Sequence, residues 1–248
     1  MSKIVDRTLD FLEIFADQKR PLSLSEISRL LHIPASSCHD VVQALQKRGY
    51  IYELGPRGGY YPTPRIYKIA KTISDCDPVI LRANIVLQRL RDTLDESVLL
   101  AKVSGLNATY LLTFESSHPL RFLRGIGDNI KTLHATSAGK ALLGSLSAPG
   151  LAAYLKSVKL SAATPHTITS KRALRNEIAV GNKRGWFTNR EESLEGVTTI
   201  SARFVWTSGV YIVTIAGPTS RIKPTLDKAA DMLTAVCKRL EMQRGSGF

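Results

Sequence analysis

Residues 23–48, Ser-Leu-Ser-Glu-Ile-Ser-Arg-Leu-Leu-His-Ile-Pro-Ala-Ser-Ser-Cys-His-Asp-Val-Val-Gln-Ala-Leu-Gln-Lys-Arg, leave the chain few ways to fold. Ser23 followed three residues later by Glu26 is a capping box, which starts a helix at Leu24. Leu24, Ile27, Leu30 and Leu31 recur at helical spacing and give that helix one face to bury. Ile33-Pro34 resets the backbone, because proline disfavours a helical predecessor and fits the first turn of a new helix. Cys38, Val41, Val42 and Leu45 form the apolar stripe of a second helix. At about 100° per residue, Ser36, Asp40, Gln43 and Lys47 point the other way. Two capped helices around a tight turn fit a helix-turn-helix, and a polar exposed face suits base-edge and phosphate contacts. Such a pair also occurs where helices merely pack, so the residues that follow carry weight.

Gly49-Tyr-Ile-Tyr-Glu-Leu-Gly-Pro-Arg-Gly-Gly-Tyr-Tyr61 reads as strand, Gly/Pro turn and strand, a hairpin with Arg57 at its tip. A hairpin directly after such a helix makes a wing. Val5 to Ala16, with Leu9, Leu12 and Phe15 apolar, supplies a supporting helix. The expectation is a winged helix-turn-helix over residues 1–65, with Ser36, Ser37, His39, Asp40, Gln43, Lys47 and Arg57 as candidate DNA-contacting residues.

The 248 residues leave room for a second, larger domain, and a hydrophobic share of 44% is enough for a core. No run approaches the roughly 18 apolar residues of a membrane span. Lys3, Asp6, Arg7 and Asp10 interrupt any signal-peptide core. A cytoplasmic protein with no membrane association is expected. Cys38, Cys76 and Cys237 lack metal-type spacing, and no metal or cofactor is expected. The net charge of +13 suits a nucleic-acid partner. Its distribution tempers that point: residues 1–70 hold 10 Lys and Arg against 7 Asp and Glu, and most of the excess lies beyond them.

After Pro62-Thr-Pro64, Ile66 to Ser74 reads as a helix with Ile66, Ile69, Ala70 and Ile73 apolar, a linker over 66–77. Asp75-Cys-Asp-Pro78 breaks it, and Val79 to Leu94 is a further helix. Residues 78–248 then mix strands (97–103, 109–114, 196–202, 210–216) with helices (137–147, 170–184, 227–242) without regular β-α-β alternation. That pattern predicts an α+β domain on an antiparallel sheet. Two stretches there hold more than packing residues. Leu133-His-Ala-Thr-Ser-Ala-Gly-Lys-Ala-Leu-Leu143 is a loop entering a helix, whose open N–H groups suit an anionic or carbonyl-bearing ligand. Gly185 to Ala202 reads as a polar loop leading into a strand.

These stretches, with the helix pair and Ile215-Ala-Gly-Pro-Thr-Ser-Arg221, give the chain a resemblance to the IclR-type bacterial transcriptional regulators over about residues 4–242. The resemblance implies a homodimer or dimer of dimers on double-stranded operator DNA. It also implies a linker helix that helps to dimerise the chain, and a GAF/PAS-like C-terminal domain that binds a small-molecule effector. It places the effector pocket at Ser137, Ala138, Asn189, Thr199 and Thr214. The resulting expectation is an effector-responsive regulator, a repressor of a catabolic operon, with no catalytic residues. Asp40 stands where the family usually has arginine, and Asn189 where a carboxylate is frequent.

Two other classes compete. An enzyme would use His134, Ser137 and Lys140, but nothing near Lys140 in sequence lowers its pKa, and no Gly-x-Ser-x-Gly elbow or phosphate loop occurs. A ligand-sensing adaptor would turn the winged helix to protein; salt-dependent DNA binding separates the two.

Overall fold

The computed structural model describes residues 3–55 and 58–242, which fall into two compact units, residues 1–77 and 78–248.

The first unit runs α1 (Lys3–Gln18), α2 (Leu24–Leu30), α3 (Ala35–Lys47), β1 (Ile51–Glu53), β2 (Tyr60–Pro62) and α4 (Arg65–Asp75). The capping box forms: Ser23 Oγ accepts the Glu26 N–H at 3.3 Å, and Glu26 Oε2 accepts the Ser23 N–H at 2.9 Å. Arg20 pairs with the same carboxylate at 2.8 Å. The Ser23 N–H first, then the Arg20 guanidinium and the Ser23 hydroxyl, hold the Glu26 carboxyl down at about 2. Ile27, Cys38, Val42 and Leu45 pack with Phe11, Phe15, Leu22 and Ile51 into one core. On α1 the buried face is set by Phe11 and Phe15, whereas Leu9 is exposed, so the helix is rotated from the stripe expected through Leu9. The two rings meet at 5.3 Å, and burying each is worth about 1.5–3 kcal/mol.

The hairpin pairs Ile51 with Pro62 and Glu53 with Tyr60, and Leu22 bridges to Tyr60 on its outer edge. Gly59 makes this possible: its φ is +76°, and a Cβ there would lie 2.7 Å from the Leu22 carbonyl oxygen. Arg57, expected at the hairpin tip, lies outside the described residues. α4 buries none of its residues and exposes Tyr67, Ile69 and Ile73.

The second unit contains α5 (Pro78–Leu94), β3 (Ser97–Ser104), β4 (Asn107–Phe114), α6 (Ser137–Ser145), α7 (Ala148–Ser157) and α8 (Lys171–Arg184). It continues with β5 (Phe187–Arg190), β6 (Val197–Trp206), β7 (Gly209–Pro218), α9 (Thr219–Ile222), a 3-10 turn and α10 (Leu226–Met242). Its five strands form an antiparallel sheet in the order β4-β3-β7-β6-β5.

Strand alternation splits the sheet into two faces. Val98, Leu100, Ile200, Ala202, Phe204, Val213 and Ile215 pack under α5 and α10. Leu99, Ala101, Ile212 and Ala216 pack under α6 and α8. This is the α+β arrangement expected, with helices on both faces. Two local readings are corrected. Residues 187–190 are a strand rather than the start of a loop, because Thr188 and Asn189 take ladder positions opposite Ile200 and Thr199. The helix begun at Ser137 ends at Ser145, and Ser147 caps a separate one, α7. Cys38 and Cys237 are buried and Cys76 is exposed, none of them in a disulfide. Among the described residues, no helix is long and apolar enough to cross a membrane.

Candidate functional site

On α3, Ser36, His39, Asp40, Gln43 and Lys47 are exposed, while Ser37 is half-buried. Asp40, Gln43 and Lys47 line one shallow groove with Ala44 and Gln46. His39 Nε2 lies 3.3 Å from Gln43 Nε2, an i,i+4 pair that restrains the amide. Among the described residues neither Asp40 nor Lys47 has an ion-pair partner. The groove therefore offers two amides able to donate and accept, one cation, and one acceptor-only carboxylate. A carboxylate there accepts from a cytosine amine and is repelled by phosphate.

The second unit holds a cavity of about 280 Å³ beside the start of α6. Thr136 caps that helix, its hydroxyl accepting the Gly139 N–H at 3.1 Å. The Ser137 and Ala138 amides follow, first-turn groups with no partner within the helix. Gly139 lets the turn sit close: a Cβ there would meet the Leu133 carbonyl oxygen. Ser137, Ala138, Thr199 and Thr214 all line the cavity. Their hydroxyls form a chain: Ser137 Oγ is 2.6 Å from Thr199 Oγ1 and 2.7 Å from Ser201 Oγ, which is 2.8 Å from Thr214 Oγ1. Register explains the convergence, since Ser201 and Thr214 are direct partners across β6 and β7. All four side chains are buried, so the floor is polar, neutral and pre-arranged.

Asn189 does not line the cavity. Its Oδ1 accepts the Glu192 N–H at 2.7 Å and its Nδ2 donates to Ser193 Oγ at 2.8 Å. Ser193 is the residue that reaches the cavity.

The rest of the wall was not visible in the sequence. Residues 127–130 return beside β4, with the Tyr110 N–H bonded to Asp128 O at 2.9 Å and the Ile130 N–H to Ala108 O at 2.8 Å. This return brings Tyr110, Phe122, Arg124, Asp128 and Lys131 to the cavity. The Arg124 guanidinium stacks over Phe122 at 4.8 Å, and no carboxylate pairs with it among the described residues. Burial pushes the Tyr110 phenol up, with Arg124 opposing.

Behind α6 lies a buried ion pair. Lys140 Nζ donates to Glu192 Oε1 at 2.5 Å and to the Thr188 carbonyl at 2.9 Å. Burial pushes the Glu192 carboxyl up despite the ammonium beside it, and its Oε2 has no hydrogen-bond partner. His134 Nε2 lies 3.0 Å from the Ser161 carbonyl. Both side chains are thus engaged away from Ser137, whose Oγ is held by two other hydroxyls, and among the described residues no base lies against it. Among the described residues no cluster of His, Cys, Asp and Glu is arranged to hold a metal ion.

Two family models match this architecture: the IclR helix-turn-helix domain over residues 4–55, and the bacterial transcriptional regulator IclR C-terminal over residues 71–241. The chain is 27% identical to the probable transcriptional regulator SauR of Cupriavidus necator, over 90% of this chain and 88% of that protein. It is 25% identical to the transcriptional repressor IclR of Escherichia coli, over 94% and 85%. Among solved structures, an IclR homologue from Microbacterium hydrocarbonoxydans complexed with 4-hydroxybenzoate superposes with a TM-score of 0.79 at 19% identity, covering 98% and 99% of the two chains. The helix-turn-helix unit, the two-faced antiparallel sheet and both family matches agree: the chain belongs to the IclR family of bacterial transcriptional regulators.

Proposed function

We propose that this chain is a cytoplasmic, non-enzymatic repressor of a catabolic operon, which binds operator DNA as a homodimer or dimer of dimers and releases it on binding a small organic acid. The observation that carries the reading is the cavity beside α6, where two helix-start amides meet a chain of buried hydroxyls. Helix-start amides favour a carboxylate oxygen, and neutral hydroxyls add direction without a second buried charge. Tyr110 and Phe122 offer a flat apolar wall, while Arg124 and Lys131 outnumber Asp128 at the mouth. A small acid with a planar body suits this lining, and one structural neighbour, the Microbacterium protein, is described with such an acid.

The DNA contacts fall to α3 and the hairpin, with Gln43 reading base edges and Lys47 and Arg57 on phosphate. The exposed apolar residues of α4, Ile69 and Ile73 foremost, supply the pairing surface of the dimer. The acid acts only if it binds the two dimer arrangements unequally.

The test is a thermal-shift and operator-binding screen of small aromatic and aliphatic acids on the parent and on Ser137→Leu, which fills the cavity. One acid should stabilise the parent and weaken operator binding, and both effects should vanish in the variant. An acid that acts equally on both proteins moves the site elsewhere. Light scattering should report a dimer or tetramer that Ile69→Asp with Ile73→Asp dissociates; a monomeric parent removes the dimer from the reading.

A further inference from the structure

β6 has a cavity on each side. Thr199 faces the one described above; Thr198, its neighbour, points to the opposite face and lines a second cavity of about 330 Å³. Around this second cavity stand His166, Arg190, Glu191, Thr219 and Lys223, with Leu226 at the start of α10. None of the hydroxyls or amides of the first cavity reaches it.

Its electrostatics are one-sided. The only acid, Glu191, is held within the wall: its Oε2 accepts the Gly196 N–H at 3.0 Å. The Thr219 hydroxyl also bonds this carboxylate, and Thr198 Oγ1 lies 2.9 Å from Thr219 Oγ1. These backbone and side-chain hydrogen bonds, more than the nearby His166 and Lys223, hold the Glu191 carboxyl below its ordinary range. The cations have no such partners. Among the described residues, His166, Arg190 and Lys223 are not within ion-pair distance of any carboxylate. Two fixed positive charges and the His166 imidazole thus face a space containing one internally satisfied negative charge.

The wall is also built in advance. Glu191 sits at φ 61°, in the left-handed region that a side chain with a Cβ seldom occupies. Its N–H bonds the Val197 carbonyl at 2.9 Å, and its own carbonyl accepts the Thr164 hydroxyl at 2.7 Å. Every polar group of the residue is used to fix the turn that carries Arg190 on one side.

We propose that this cavity is a second ligand site, specific for a small oxyanion, in which Arg190 and Lys223 bind the phosphoryl or carboxylate oxygens and His166 adds a third donor. Arginine supplies a planar pair of donors and lysine a point charge, a combination suited to a tetrahedral or planar oxyanion. The proposal is independent of the acid assigned to the first cavity.

The test is calorimetric titration of the full chain with inorganic phosphate and, separately, with succinate, both against sodium chloride at matched ionic strength. The parent should bind at least one of them saturably, and the pair of arms tells a phosphoryl from a carboxylate ligand. Arg190→Gln with Lys223→Gln should weaken binding at least about tenfold, a loss of roughly 1.4 kcal/mol or more. Both side chains are exposed, so circular dichroism of the variant should match the parent. Ser137→Leu should leave the binding intact, which separates this site from the first cavity. Undiminished binding in the double variant, an equal response to chloride, or loss in Ser137→Leu alone overturns the proposal.

Discussion

Asn189 and Thr199 face each other in register across β5 and β6, yet their side chains serve different ends. Thr199 bonds Ser137 and lines the cavity, whereas Asn189 spends its amide on the Glu192 N–H and the Ser193 hydroxyl. One residue lines the cavity; the other shapes the turn that delivers Ser193. Asn189→Ala should leave a buried N–H without a partner and destabilise the second unit by about 1–3 kcal/mol. Effector affinity should fall less than in Ser137→Leu, since the cavity floor survives. Denaturant melts and calorimetric titration read both quantities, and a variant as stable as the parent would remove Asn189 from this role.

Lys140 and Glu192 make the sharpest stability prediction. Lys140 is fully buried, so removing its charge strands a carboxylate with one oxygen already unpartnered. Lys140→Met alone should cost about 3–5 kcal/mol, and Lys140→Met with Glu192→Leu should recover much of that loss. Chemical denaturation of the two variants decides it; equal destabilisation would mean that the pair is not coupled.

On α3, Lys47→Ala should weaken binding to all DNA sequences alike and lower the salt slope by about 1. Gln43→Ala should instead alter preference at one base pair, with about 1–3 kcal/mol at stake. Binding isotherms at several salt concentrations, on the operator and on single-base variants of it, separate the two. If Gln43→Ala merely scales every affinity down, that side chain contacts backbone and not base.

Acid should expose the capping box of α2. Glu26 has its carboxyl held at about 2, below its ordinary 4.5. A depressed folded-state pKa gives stability that is complete above the unfolded value and is lost as pH falls toward the folded one. Glu26→Gln should therefore be less stable than the parent near neutral pH, and the gap should close between about 4.5 and about 2. Melting curves across that window test it; a gap that widens on acidification would contradict the assignment.

What was legible from the residues was local. Ser23 and Glu26 announce their helix because both partners lie within one turn. The apolar pattern of α4 was plain for the same reason, and so was the entry to α6 at Ser137. The strand Phe187–Arg190 was hidden because Thr188 and Asn189 are polar: the Thr188 hydroxyl is taken up by the Thr199 carbonyl on β6, and the Asn189 amide by the turn that follows it. The cavity mouth was hidden too: Tyr110 meets Arg124 and Asp128 only because residues 127–130 come back along β4, a pairing no local period encodes. On α1, Leu9 and Phe11 are both apolar, and only the packing of Phe11 against its neighbours decides which is buried.

The alternation along β6 has a consequence for how sensors of this kind diversify. Thr199 and Ser201 belong to the side of the strand that carries the buried hydroxyls, and Ile200, Ala202 and Phe204 to the apolar layer that carries α5 and α10. Substitutions at Thr199 re-line the chamber, and those at Ser201 reset the hydroxyls behind it, while the adhesive layer beneath the helices stays as it was. Chemical taste and mechanical soundness are thus written on alternate letters of one strand, and descendants of this chain are free to revise the first without renegotiating the second.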